Sequence, residues 1–369
     1  MSVAEDGKRG APIGKALLAA AGLVAGAFVV RGAIQRAGRA KAYLGEGLDE
    51  KGWITLGGIE QWVTIRGRDP ENPILIVLHG GPGSTMSLVA QAAFPGWDEH
   101  FTVVNWDQRG AGRTFGRNGK AGSGELTLGR FVVDGVELAE AMRRRFPGRP
   151  IVLLGWSWGS VIGIEMIRAR PDLFAAYVGV GQVIDVSRGE TQSYFGAIDR
   201  LRQKGEERKA KQLEAIGPPP YPSTKELKTQ RTLLVSTMPK AERKVFQRRL
   251  VDMLLAPDAT LRDVLDANRG AMFSVRALWG QLTNWRIADG GYAFEVPLVF
   301  LQGELDLQTP TALVTEVFAK LQAPKKELVI LEDAGHVALI THGKDFLRIL
   351  REQVRPLVTA KPKRAKKRA

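Results

Sequence analysis

Short apolar runs recur along most of this chain and alternate with segments of helical periodicity. The runs are rich in β-branched side chains, which suits strands buried on both faces of a sheet. They are PILIVLH (73–79), FTVVNWD (101–107), IVLLG (151–155), AAYVGVG (175–181), PLVFLQG (297–303) and ELVILE (327–332). Helices are predicted over 131–146, about 158–170, 311–321 and 344–354. This alternation predicts an α/β fold with a mostly parallel central sheet and helices on both faces.

Two departures from the alternation define the predicted organisation. The segment WITLGGIEQWVTIRG (53–67) predicts two strands joined at Gly57-Gly58, a hairpin signal. From about 184 to 290 the sequence is helical and charged, which predicts a helical insertion into the sheet. We therefore predict an N-terminal segment with a linker (1–45), a first core part (46–183), a helical cap (184–290), a second core part (291–357) and a basic tail (358–369).

The segment GWSWGS (155–160) lies where a buried strand is expected to become a helix. A simple interpretation is a turn in which glycine permits tight backbone geometry. The pattern G-x-S-x-G also defines a nucleophile elbow, which holds a serine at a strained turn beside a helix N-terminus. In that interpretation Ser157 is the nucleophile, and Gly155 and Gly159 remove side chains that would collide with the neighbouring strand and helix.

A serine nucleophile needs a base, because its own hydroxyl is scarcely ionised at neutral pH. Among the four histidines, His336 follows directly on a predicted strand in ELVILEDAGH, whereas the other three are less well placed: His79, His100 and His342. An acid should orient the imidazole. The segment FLQGELDLQTP offers Glu304 and Asp306 beyond another strand, and the residues alone leave that choice open. Serine, acid and histidine in this order at three strand ends predict an acyl-transfer site.

Two backbone N–H groups should stabilise the oxyanion of the intermediate. One belongs to Trp158, directly after the nucleophile, and we assign the other to Gly81 in HGGPG (79–83). The same loop could cradle a phosphate, but it contains neither G-x-x-x-x-G-K-[ST] nor G-x-G-x-x-G. These residues imply no metal and no organic cofactor.

Composition and charge narrow the functional classes. The absence of cysteine from the 369 residues excludes thiol catalysis, thiolate metal sites and disulfides. The net charge of +14 is concentrated at the two ends and in the predicted cap, and residues 361–369 contain six basic and no acidic side chains. A nucleic-acid enzyme would instead show a basic core with interleaved aromatic residues. We expect a solvated tail and no specific nucleic-acid partner.

The uncharged run ALLAAAGLVAGAFVV (16–30) is flanked on both sides by basic residues. As a helix it is about 22 Å long, so it spans a hydrocarbon core of about 30 Å only with local thinning and snorkelling. We predict membrane association through this segment, with the side of the membrane left open. One alternative is a secretory signal cleaved at Ala25-Gly26-Ala27, which gives a secreted or periplasmic protein. The other alternative is an ordinary helix that lies on the fold of a cytoplasmic protein.

Taken together, the motifs resemble those of the α/β-hydrolases, and within them the prolyl aminopeptidase (prolyl iminopeptidase) branch. The resemblance rests on HGGPG, NWDQRGAGRT (105–114), GWSWGS, GELD (303–306) and the AGH that ends at His336, which span most of 53–355. It implies the α/β-hydrolase fold with a helical cap. It also implies Ser157 as nucleophile, His336 as base and Asp306 rather than Glu304 as acid, with WDQRGAGRT (106–114) shaping the site.

The predicted cap departs from that branch in one motif. Relatives that cleave N-terminal proline resemble one another in W-x-x-W-E, whose acid helps to hold the free amine of the substrate. The cap tryptophans here are Trp279 and Trp285, and neither is followed by glutamate. We predict Glu190 as the substitute, although a basic cap is a poor host for an ammonium group.

These observations predict a serine hydrolase that works by acyl transfer. The expected substrate is a short peptide with a free N-terminus, from which the enzyme releases the first residue, proline by the resemblance. The alternative is a small or lipid-like ester. A further class is a non-catalytic ligand binder on the same fold.

Overall fold

The computed structural model describes residues 11–42, 45–221 and 223–359, without the side chains of residues 11–24, 42 and 224. Its strands are β1 Leu48–Leu56, β2 Ile59–Gly67, β3 Ile74–Leu78, β4 Thr102–Asp107, β5 Ile151–Trp156, β6 Ala176–Val180, β7 Leu298–Gly303 and β8 Lys326–Leu331. Within the described residues they form one sheet in the order β1-β2-β4-β3-β5-β6-β7-β8. β2 is antiparallel to both β1 and β4, and the strands from β3 to β8 are mutually parallel.

Within the described residues, α1 precedes the first strand, and the other helices lie between the strands or after the last one. They are α1 Ala11–Ala42, α2 Ala90–Ala93, α3 Trp97–His100, α4 Gly112–Gly122, α5 Leu128–Arg145, α6 Trp158–Ala169, α7 Val186–Gln203, α8 Glu207–Ile216, α9 Thr224–Thr237, α10 Lys240–Leu255, α11 Leu261–Leu282, α12 Thr311–Lys320, α13 Ala338–Thr341, α14 Gly343–Ile349 and α15 Arg355–Thr359. The helices from α7 to α11 occupy the interval between β6 and β7, where the helical insertion is predicted, and are called the cap below.

The central strands of the sheet are buried on both faces. In β3, Ile74, Ile76 and Leu78 pack into the cluster that includes α5, α6 and α12, whereas Leu75 and Val77 face the cluster that includes α2, α3, α13 and α14. Full burial of such a side chain contributes about 1.5–3 kcal/mol, so apolar residues are favoured at every position of these strands. This confirms the predicted α/β fold with a mostly parallel sheet covered on both sides.

The predicted strands are present, with two differences near the N-terminus. The hairpin turns at Gly57-Gly58 as predicted, but β1 begins at Leu48 rather than at residue 53. The segment predicted as a linker is helical as far as Ala42. α1 is held on the cap, because Arg31 donates to the carbonyl of Leu254 at 2.9 Å and Gln35 to that of Ala256 at 2.9 Å. A sequence pattern does not reveal such contacts.

Helix α4 is absent from the sequence prediction, as are the short helices α2, α3, α13 and α15. The α4 segment GRTFGRNGKAG contains four glycines, which have low helix propensity. The carboxylate of Asp107 offsets this cost by accepting the backbone N–H of Arg113 at 2.9 Å, and the Thr114 hydroxyl donates to the Asp107 carbonyl at 2.6 Å. These two bonds fix the first turn against the end of β4.

The predicted terminal segments are described only in part. Residues 16–30 belong to α1, and the side chains of 16–24 lie outside the described residues. None of the helices searched within the described residues combines the length and apolar character that a bilayer span requires. The predicted span is therefore not supported, and the localisation stays a prediction. The basic tail 361–369 lies outside the described residues.

Candidate active site

Ser157 occupies a sharp turn between β5 and α6. Its φ of 54° lies in the left-handed region, which a residue other than glycine rarely adopts. A Cβ at Gly155 would come within 2.5 Å of the Gly159 carbonyl oxygen, and one at Gly159 within 2.1 Å of the Leu78 carbonyl oxygen. Both glycines are thus required for this turn, as predicted from the G-x-S-x-G pattern.

Ser157, His336 and Asp306 meet at the carboxyl ends of β5, β8 and β7. The Ser157 Oγ lies 3.0 Å from Nε2 of His336, a residue 179 positions away. The Nδ1 of the same imidazole lies 2.8 Å from Oδ2 of Asp306. All three side chains are buried. The structure therefore assembles the three residues that the sequence singled out into one hydrogen-bonded chain.

Asp306 is the acid that touches the imidazole. Its carboxylate accepts the backbone N–H groups of Gln308 at 2.7 Å and Thr309 at 3.0 Å, and the Thr309 hydroxyl at 2.7 Å. Glu304 is exposed, and it accepts the backbone N–H of Asp333 at 3.2 Å instead. Of the two acids that the sequence offered, Asp306 rather than Glu304 contacts His336, and Asp306 is the acid that the family resemblance implied.

The two tryptophans beside Ser157 hold its surroundings in place. The indole N–H of Trp156 donates to the backbone carbonyl of His336 at 3.1 Å. The indole N–H of Trp158 donates to Oε1 of Gln108 at 3.0 Å. Each tryptophan thus ties the serine turn to another loop of the site. Gln108 belongs to WDQRGAGRT, which the resemblance assigned to shaping the site.

His79 holds the glycine-rich loop rather than acting as the base. Its Nε2 accepts the backbone N–H of Gln108 at 3.2 Å, so Nδ1 carries the proton and donates to the Gly80 carbonyl at 2.8 Å. Burial lowers its pKa to about 4, with a smaller contribution from the charge of Arg249. The ring is therefore neutral at pH 7 and serves as a fixed link between two loops.

The HGGPG loop passes close to the nucleophile. A Cβ at Gly80 would lie 3.3 Å from the Cβ of Ser157. Gly81 has a φ of +128°, and a Cβ there would come within 2.5 Å of the Gly83 nitrogen, so the conformation requires glycine. Gly81 and Trp158 both line the cavity that contains Ser157. Their assignment as oxyanion donors stays a prediction that this placement allows.

Comparison with known proteins identifies the family. A family model described as alpha/beta hydrolase fold matches residues 73–343, well over half of the chain. The chain belongs to the α/β hydrolase fold family. It is also similar to a Bacillus subtilis protein named probable aminopeptidase YbaC, with 28% identity over 313 residues that cover 82% of this chain and 95% of that protein.

Two solved structures share the fold of this α/β hydrolase. A proline iminopeptidase-related protein from Thermus thermophilus has a TM-score of 0.59 and 22% identity, covering 84% of this chain and 99% of its own. A membrane phospholipase A, described as a novel bacterial virulence factor, has a TM-score of 0.59 and 18% identity, covering 94% of this chain and 98% of its own. The predicted family is confirmed, as is the prediction of a serine hydrolase enzyme.

A large apolar cavity leads to Ser157 in this α/β hydrolase. Its volume is about 1310 Å³, which exceeds the range of about 300–1,000 Å³ for ordinary small-molecule sites. The sheet side of the cavity is lined by the HGGPG loop, Ser157 and His336, and the cap side by residues of α7, α9, α10 and α11. Ile34 of α1 also lines it. The cavity therefore has room for a substrate larger than a single amino acid.

Glu190 lines this cavity, but its carboxylate is already paired. Arg231 approaches both of its oxygens, with Nη1 at 2.9 Å from Oε2, and the guanidinium lies over the ring of Trp279 at 5.5 Å. This ion pair reduces the negative charge available to a substrate amine, and the role of Glu190 in holding that amine stays a prediction.

Sequence reasoning missed Glu242 of α10. Its side chain is fully buried, and Oε1 accepts the backbone N–H of Gly335, next to His336, at 2.6 Å. The other oxygen has no hydrogen-bond partner among the described residues. Burial raises the pKa of Glu242, against the opposing effect of the Gly335 and Val337 N–H groups. No local pattern signals this contact, since 93 positions separate the two residues.

Proposed function

We propose that in this serine hydrolase Ser157 is the nucleophile, His336 the general base and Asp306 the orienting acid. The observation that carries the proposal is the unbroken chain from the Ser157 hydroxyl through both imidazole nitrogens to the Asp306 carboxylate, with links of 3.0 and 2.8 Å. That geometry lies within hydrogen-bond reach for proton transfer.

The reaction proceeds in two halves. Ser157 Oγ bonds to the substrate carbonyl carbon, and its proton moves to Nε2 of His336 while the Nδ1–H remains bonded to Asp306. The N–H groups of Gly81 and Trp158 receive the oxyanion. When the intermediate collapses, the bond to the leaving group breaks and that group takes the proton from Nε2. Water then attacks the acyl enzyme by the same proton path and restores the serine.

The first candidate substrate is a short peptide with a free N-terminus. Its support is the similarity to a protein named probable aminopeptidase and to a solved proline iminopeptidase-related protein. The Glu190–Arg231 pair leaves the amine without the carboxylate predicted from the sequence. We therefore expect weaker selection for a charged amine than a dedicated acidic subsite would impose.

The second candidate substrate is an ester with a long apolar acyl chain. Two observations favour it: the cavity is large and mainly apolar, and the pairing of Glu190 removes an obstacle to an uncharged acyl group. A solved structure of the same fold is a membrane phospholipase A. Both candidates use the same nucleophile and differ only in the bond that is cleaved.

A substrate panel tests the proposal. Aminoacyl-arylamides and aryl esters of increasing acyl length are assayed with the wild type and with Ser157→Ala. Turnover that Ser157→Ala abolishes while the circular dichroism spectrum is unchanged supports the serine hydrolase. Arylamide turnover selects the peptidase, and ester turnover alone removes it. Turnover that survives in Ser157→Ala contradicts the proposal.

A further inference from the structure

One face of α10 is turned toward the active site. Glu242, near its N-terminus, bonds to Gly335 beside His336, and Val245 and Phe246 line the cavity one turn later. Arg249 follows Glu242 by seven residues, close to two full turns, so the two lie on the same face about 10 Å apart along the axis. Arg249 also lines the cavity. Arg249 thus lies on the face of α10 that is turned toward the active site, and its side chain lines the same cavity as Ser157 and His336.

Arg249 has no ion-pair or hydrogen-bond partner among the described residues, and desolvation by the surrounding protein is what lowers its pKa. Its side chain is exposed within the cavity. The neighbouring Arg248 differs, because it pairs with Asp252 at 3.5 Å. Arg249 also acts on His79: burial lowers the pKa of His79, and the positive charge of Arg249 lowers it further. Because His79 holds Gly80, the guanidinium acts close to the glycine-rich loop.

Acidic side chains of the cavity do not supply the missing partner. Glu190 is paired with Arg231 and Asp252 with Arg248, while Asp185 accepts the Arg188 N–H at the start of α7. A guanidinium that lines the cavity without a counter-charge can pair with an anionic group that enters the cavity, and the planar fork of arginine suits a carboxylate or a phosphate.

We propose that Arg249 binds an anionic group of the substrate, a carboxylate or a phosphate, at a distance from the bond that is cleaved. The proposal deepens the function proposed above and rests on it. An extended peptide advances about 3.3–3.6 Å per residue, so the C-terminal carboxylate of a tripeptide or tetrapeptide lies two or three residues beyond its first peptide bond. A phosphate on the alcohol side of an acyl ester presents the same chemistry.

Matched substrate pairs test the proposal. The first pair is a tripeptide with a free C-terminal carboxylate and the same tripeptide as its C-terminal amide. The second is a 1-acylglycerol phosphate and the corresponding 1-acylglycerol. In whichever pair the wild type cleaves, we expect kcat/KM to be about tenfold or more higher for the anionic member. Arg249→Gln should remove this preference with the neutral member unaffected, Arg249→Lys should keep part of it, and the control Arg248→Gln should keep all of it.

Two results would overturn the proposal. One is equal kcat/KM for the charged and neutral members of the cleaved pair in the wild type. The other is a loss in Arg249→Gln that is the same for both members. Labelling by a fluorophosphonate distinguishes failure of the Arg249 proposal from failure of the proposed function. An enzyme that is labelled but shows no charge preference is still a serine hydrolase. For an unlabelled protein, calorimetric binding of the tripeptide and its amide decides whether Arg249 selects the anion.

Discussion

Glu242 of the cap accepts a hydrogen bond from the backbone N–H of Gly335, the residue before His336, at 2.6 Å. A Cβ at Gly335 would lie 2.5 Å from the other carboxyl oxygen of Glu242, so the approach depends on glycine. The cap is thereby joined directly to the loop that carries the imidazole. A side chain that does not line the substrate cavity can in this way set the position of His336.

Glu242 is expected to act as a positioning residue. Glu242→Ala leaves the buried Gly335 N–H without its acceptor, which costs about 1–3 kcal/mol, and we expect kcat to fall about 10- to 100-fold with a smaller change in KM. Glu242→Gln retains an oxygen that accepts the same N–H and should restore most of kcat. Steady-state kinetics of the two variants provide the measurement. Equal defects in both would show that the effect is not transmitted through this bond.

The acid of the site is tested by two neighbouring substitutions. Asp306→Asn removes the charge beside Nδ1 of His336 and favours the wrong tautomer, so we expect kcat to fall by up to about 10⁴. Glu304→Gln is the matched control, because Glu304 is exposed and bonds only to the Asp333 N–H among the described residues. The kcat of Glu304→Gln should stay within about twofold of that of the wild type. A larger loss in Glu304→Gln than in Asp306→Asn would show that the acid is misassigned.

His79 should make the folded state sensitive to acid. Its pKa falls from 6.5 to about 4 on folding, so its stabilising contribution is present above pH 6.5 and is lost as the pH falls toward 4. The contribution is on the order of 3 kcal/mol. Denaturant unfolding at pH 7 and at pH 4 gives the change in the free energy of unfolding. The free energy of unfolding of His79→Gln should fall less between pH 7 and pH 4 than that of the wild type. An identical fall in the two proteins would contradict the role given to His79.

The elbow glycines can be tested by adding a single methyl group. Gly159→Ala places a Cβ within 2.1 Å of the Leu78 carbonyl oxygen, and we expect a loss of about 3 kcal/mol or more in the free energy of unfolding. Gly280→Ala in α11 is the control, because a Cβ there meets nothing within 4 Å. It should leave thermal unfolding unchanged or raise its midpoint. A Gly159→Ala protein as stable as the control would rule out the close approach.

Features that depend on one strand or one turn could be predicted from the sequence. Strands such as β3 and β5 are short and uniformly apolar because both faces are buried, so the pattern marks them directly. The same strand ends locate Ser157, His336 and Asp306, since parallel strands deliver their carboxyl ends to one edge of the sheet. The positions of these residues could therefore be predicted from the local sequence alone.

Features that arise from contacts between distant segments could not be predicted. α1 extends to Ala42 because Arg31 and Gln35 bind carbonyls more than two hundred positions away. The pairing of Glu190 with Arg231 likewise depends on how α7 packs against α9. A charged residue in an amphipathic helix carries no mark that distinguishes a paired side chain from a free one, so the sequence indicated Glu190 and passed over Arg249.

The most direct test of the catalytic assignment is to treat the folded protein with a fluorophosphonate and to locate the adduct by peptide mass spectrometry. We expect a single adduct on Ser157, absent from Ser157→Ala and formed much more slowly in a His336→Ala variant that retains its fold. An adduct on another serine, or a folded protein in which Ser157 stays unmodified, would contradict it.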